Sequence, residues 1–210
     1  MFNRENICSL IIILFHFVGL YGFLNTELID LFITLVPLHL MLMLLLMIIT
    51  GYDGSGNFLV FALVVYSAGF LIEVAGVNTG LIFGSYIYGR TLGLQMWQTP
   101  LLIGANWLIL VYTTGVVLTA YNLNKYMFAL LGAVVLVVVD FLIEPVAIKY
   151  DYWNWAGGVI PLQNYLGWFV VAFAMFLFFE KMTFRKQNSA AIVLFVAQIC
   201  FFIILNKWST

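Results

Sequence analysis

Seven long apolar runs order the chain, at roughly 7–24, 28–50, 57–77, 100–121, 125–143, 162–180 and 189–206. Each approaches the ~20 residues that carry a helix across a bilayer. The runs are continuous rather than alternating, which excludes a transmembrane barrel. Most breaks are short and carry turn chemistry: "NTE", "GYDGSGN", "NLNK" and "KMTFRKQNS". Two connections are longer, 78–99 and 144–161, and they hold many of the Gly, Trp and Tyr residues. The pattern predicts an all-α, polytopic membrane helical bundle of about seven transmembrane helices. Residues 1–210 read as a single integral-membrane domain, in which 78–99 can dip back as a re-entrant segment. The first run is long for the apolar part of a signal peptide and lacks an A-x-A-like end, so it reads as a retained span.

Composition sharpens this picture. Hydrophobic residues make up 65% of 210 positions and charged residues 8%, against ~25% charged in soluble domains. No polar stretch is long enough to fold by itself. The lipid bilayer is therefore the main surrounding, and a net charge of −1 argues against a nucleic-acid partner. Cys8 and Cys200 lie near opposite ends, which offers neither a disulfide framework nor a metal-ligand spacing. With the N-terminus cytoplasmic, that side receives Arg4, Lys125, Lys181, Arg185 and Lys186, and the other Arg90, Lys149 and Lys207. This excess favours an N-inside, multi-pass arrangement in the cell (inner) membrane.

Against this background the acids stand out. Glu73 lies in "FLIEVAG", near the end of the third run; Asp140 and Glu144 lie in "DFLIEPVA", at the end of the fifth. Runs three and five cross in the same direction, so all three acids and both long connections share one membrane face. An acid at a helix centre costs ~2.5–3.5 kcal/mol on insertion scales, and such residues usually face the bundle interior and serve function. Asp140 and Glu144, four apart, share a helix face. Like charges there repel, which favours one protonated member able to act as a general acid. The plainer account is that these acids reach to headgroups or pair with Arg90 and Lys149. Asp151 and Glu180 read as solvated charges.

Tyr86, Tyr88, Tyr150, Tyr152, Trp153, Trp155, Tyr165 and Trp168 cluster on the same face. Some form an interfacial belt. The sharper reading is a pocket wall, because aromatic faces stabilise a cation by ~0.5–2 kcal/mol. Gly76, Gly80 and Gly84 form a G-x-x-x-G-x-x-x-G run. It reads as a helix-packing face, the alternative being a flexible loop with Asn78 and Thr79 as polar contacts. His16 and His39 are read as hydrogen-bonded interior residues, and Asn106 and Gln198 as interhelical contacts. No metal site is expected, since two histidines are too few for most of them.

"EVAGVNTGLIFGSYIYG" (73–89), "DFLIEPVA" (140–147), "YWNW" (152–155) and "GGVIPLQNYLGW" (157–168) together resemble the membrane carotenoid-biosynthesis family. That family includes bisanhydrobacterioruberin and γ-carotene hydratases and is similar in architecture to membrane-type lycopene cyclases. The resemblance covers the third through sixth runs; the others match only in hydropathy. It implies a cofactor-independent carotenoid 1,2-hydratase with a hydrophobic carotenoid as substrate and other carotenoid-pathway enzymes as partners. Protonating the terminal alkene of a ψ end gives a tertiary cation, which water captures. The implied catalytic residues are Glu73, Asp140 and Glu144, with Asp140 or Glu144 as proton donor. The implied substrate-binding residues are Asn78, Thr79, Tyr86, Tyr88, Trp153, Trp155, Asn164 and Trp168.

The nearest rival is a lycopene cyclase, in which an internal double bond captures the cation. A membrane prenyltransferase would need more clustered aspartates and more nearby cations for diphosphate. A retinal-binding receptor would need a lysine within the last run, where Lys207 lies only at its end. A transporter would be expected to show repeated halves, and no convincing repeat is present.

Overall fold

A computed structural model describes residues 3–208. Its helices are α1 (Arg4–Leu24), α2 (Ile29–Gly51), α3 (Gly56–Thr79), α4 (Leu102–Leu118), α5 (Lys125–Lys149), α6 (Leu162–Lys181) and α7 (Ser189–Trp208). Six of these are long and apolar enough to cross a membrane. Asn3, Ser55 and Asn124 cap α1, α3 and α5 by accepting first-turn amide protons, which supplies partners the helix cannot. The fold is the all-α polytopic bundle that the apolar runs predict.

Helix α4 departs from the predicted span. It has 17 residues rather than filling 100–121, and 14 of them are buried. It packs against α2, α3, α5, α6 and α7. A helix enclosed by protein does not have to match the bilayer thickness, because its neighbours and not lipid cover its ends.

The fifth span also differs. It does not stop at 143 but runs through Pro145 to Lys149. The residue before a proline is biased away from helix, which is why the sequence reads as a break there. Proline removes one amide donor inside the helix. Nearby, Asn206 of α7 donates to the Leu142 carbonyl at 2.7 Å, a link between α5 and α7 close to the proline. Asp140 and Glu144 consequently lie within α5, on successive turns, rather than at its end.

The long connections form neither a re-entrant helix nor loose loops. Strand β1 (Tyr86–Tyr88) pairs antiparallel with β4 (Trp153–Trp155), and β2 (Gln95–Met96) with β3 (Thr99–Pro100). The glycine run is likewise not a helix face throughout. Gly76 is helical, but α3 ends at Thr79, and Gly80 caps it in the left-handed region at φ 66°. Gly84 has φ 102°, and a Cβ there would lie 2.6 Å from the Pro161 ring. These two glycines turn the chain out of α3 and into β1.

At the opposite end, Arg185 pairs with Glu5 at 3.0 Å and donates to the Thr50 carbonyl at 2.8 Å. Glu5 also accepts from the Ser189 amide at 2.9 Å. This network ties α1, α2 and the start of α7 together.

Candidate functional site

The β1–β4 ribbon lies over the end of the bundle. Side chains alternate along a strand, so Y-I-Y and W-N-W each send two rings to one face. Tyr86, Trp153 and Trp155 are buried and Tyr88 is half-buried, while Ile87 is exposed. The pairing sets Tyr86 opposite Trp155 and Tyr88 opposite Trp153, with ring centroids 5.0 and 6.1 Å apart.

Beneath these rings the three acids converge. Glu73, Asp140 and Glu144 are 3%, 0% and 1% exposed, and they border one small cavity of about 20 Å³. Neither lipid-facing placement nor an ion pair describes them. Among the described residues, the salt bridges are Arg185–Glu5 and Lys186–Glu180. Arg90 and Lys149 therefore do not neutralise the acids.

Hydrogen bonds divide the acids unequally. Glu73 Oε2 accepts from the Tyr86 and Tyr88 hydroxyls at 2.6 and 2.7 Å, and Oε1 from Trp107 Nε1 at 2.9 Å. Burial, and then the Glu73 carboxylate beside them, pushes both phenols up, which keeps them as O–H donors. Glu144 Oε2 accepts from Trp153 Nε1 at 3.0 Å and Trp155 Nε1 at 2.8 Å. The Asn164 amide bridges the pair, donating to Asp140 Oδ2 at 2.6 Å and to Glu144 Oε1 at 3.3 Å. Asp140 Oδ1 is buried without a partner among the described residues. Two acids thus receive three donors each, and the third receives one.

The structure brings together Glu73, Tyr86, Tyr88, Asp140, Glu144, Trp153, Trp155, Asn164 and Trp168. It does not bring in Asn78 or Thr79. Asn78 donates to the Val74 and Trp97 carbonyls, and Thr79 to Ala75. Both are exposed at the end of α3, where they fasten a helix end and the β2–β3 hairpin. Tyr165 faces Phe141, itself 62% exposed, on the outer side of the bundle. The sequence reading missed Trp107. Its ring stacks on Trp168 with centroids 4.1 Å apart, and its N–H holds Glu73. The signal was available: an indole several residues inside a span must find a partner for its N–H.

A second cavity of about 390 Å³ adjoins the first. Ile103 and Trp153 line both, so they form a partition between them. The larger cavity is bounded mainly by α1, α2 and α7, and its wall is predominantly apolar.

A family model described as "Carotenoid biosynthesis protein" matches residues 32–209. The chain belongs to the carotenoid biosynthesis protein family. All of α1 lies outside the family's matched region. A bisanhydrobacterioruberin hydratase of Haloarcula japonica is 29% identical over 141 residues, covering 61% of this chain and 46% of that protein. The chain thus aligns with less than half the length of this relative. No solved structure matches. An apolar cavity of about 390 Å³ lies beside the buried acids.

Proposed function

We propose that this membrane protein is a carotenoid 1,2-hydratase acting on a ψ end, with Asp140 as the proton donor. The observation that carries this reading is the unequal sharing of donors. A carboxylate that receives three N–H or O–H groups has no proton to give and holds negative charge well; Glu73 and Glu144 fit that description. Asp140 Oδ1 receives nothing, as suits an oxygen bearing a transferable proton.

The steps then balance. The Asp140 proton bonds to C2 of the terminal C1=C2 alkene, leaving a tertiary cation at C1. The charge of Glu73 and the faces of Trp155 and Trp168 stabilise it. Water oxygen bonds to C1, its excess proton restores the Asp140 carboxyl, and Glu144 orients the water. Asn164, touching both α5 acids, is a positioning residue. The larger cavity takes the polyene chain. The positive-inside count supports an acid cluster on the non-cytoplasmic side.

Expression in a carotenoid-producing bacterium that lacks the step, with products weighed, tests the assignment. Wild type should add the mass of water. Asp140→Asn should lower product at least a hundredfold, within the range for losing a general acid, with Glu73→Gln and Glu144→Gln less severe. A product isomeric with its substrate would move the assignment to a cyclase. Hydration at wild-type rate in all three variants would remove the site.

A further inference from the structure

We propose that His16, His39, Asn106 and Gln198 hold the water that captures the cation, in the larger cavity and next door to the acids. This rests on the hydratase reading. The four side chains come from α1, α2, α4 and α7 and line one otherwise largely apolar cavity. His16 Nδ1 lies 2.8 Å from the Ile12 carbonyl. A carbonyl only accepts, so Nδ1 carries the proton and Nε2 is left as an acceptor. The His39 ring stands edge-on to His16, centroids 4.9 Å apart. Gln198 Oε1 is buried with no partner among the described residues. An unpaired buried polar group is destabilising, and Gln198 Oε1, unpaired beside three further polar side chains on one cavity, suits a water. Water needs room and two to four polar partners, and this cavity supplies both.

The acid pocket supplies partners but not room for both reactants. Its ~20 Å³ is about one water-sized probe, and an alkene end against Asp140 would leave no space for the nucleophile. The larger cavity adjoins it, sharing Ile103 and Trp153 in its lining. Asn106 lies one turn along α4 from Ile103, and Ile143, which also lines the larger cavity, one turn beyond Asp140 on α5.

The test uses the purified full chain in liposomes, with lycopene as probe and D₂O buffer. Protonation followed by reversal leaves deuterium in recovered lycopene, because the cation can lose H in place of D at C2. Hydration consumes the cation. Gln198→Leu and Asn106→Leu should each lower hydrated product about tenfold or more while deuterium still enters recovered lycopene. Asp140→Asn should lose both. Parallel loss of hydration and exchange in the Gln198 and Asn106 variants overturns the proposal, as does unchanged hydration. Wild type that exchanges deuterium but forms no hydrated product defeats the hydratase reading itself. A second measurement is independent of turnover. X-ray hydroxyl-radical footprinting, which labels side chains beside bound water, should mark His39 in wild type and less in Gln198→Leu. An unlabelled His39 in wild type overturns the proposal.

Discussion

Glu73 shows how individual residues divide labour at this site. Its oxygens receive two phenol protons and one indole proton, and each such bond to a charged group is worth ~1.5–3 kcal/mol. Replacing Tyr86 or Tyr88 by Phe removes one donor and leaves the ring in the wall. If that charge steadies the cation, each variant should lower turnover about ten- to a hundredfold with the product unchanged; rates in the carotenoid-producing host or in liposomes check this. Asn78 gives the contrast. It binds the Trp97 carbonyl outside the cavity, so Asn78→Ala should cost no more than ~1 kcal/mol of stability and leave turnover within about twofold. A large loss of activity on that substitution would put Asn78 back in the site.

Among the elements, the helices were legible because apolar runs near twenty residues have few alternatives in a bilayer. The acids were legible for the same reason, since carboxylates are costly there. The ribbon was not. Three-residue strands carry too little alternation to be distinguished from an aromatic belt, and the pairing of Tyr86 with Trp155 spans 69 positions. Pro145 misled in the other direction, because its local bias toward a break was overridden by packing against α6 and α7. The G-x-x-x-G spacing concealed a helix end, since glycine serves both close packing and left-handed caps. A helix contact of real consequence is at Gly69, where a Cβ would lie 2.6 Å from Trp107 Cβ. That atom is the root of a side chain and cannot swing aside. Gly69→Ala should push α3 from α4, loosen the Trp107–Glu73 bond and cost ~1–3 kcal/mol as overpacking. Unfolding of the purified protein in detergent, compared with wild type, measures the loss.

Across the whole molecule, the two ends of the bundle are fastened by different means. The Arg185–Glu5 network joins α1, α2 and α7 at one end, and the ribbon covers the acids at the other. What stays open is the flank. Phe15 and Val18 on α1, and Leu35 and Leu38 on α2, line the cavity yet are exposed on the outer surface. In a bilayer that surface meets lipid, where a polyene dissolves, so on the hydratase reading the substrate enters between α1 and α2 without crossing water. Leu38 is 61% exposed and belongs to neither the acid pocket nor the polar group around Gln198. Leu38→Trp should narrow the passage, raising KM several-fold and changing kcat less, because uniform binding and not the protonation step is affected. Initial rates in liposomes over a range of lycopene content separate the two constants. A fall in kcat with KM unchanged would mean that substrate reaches Asp140 by another path.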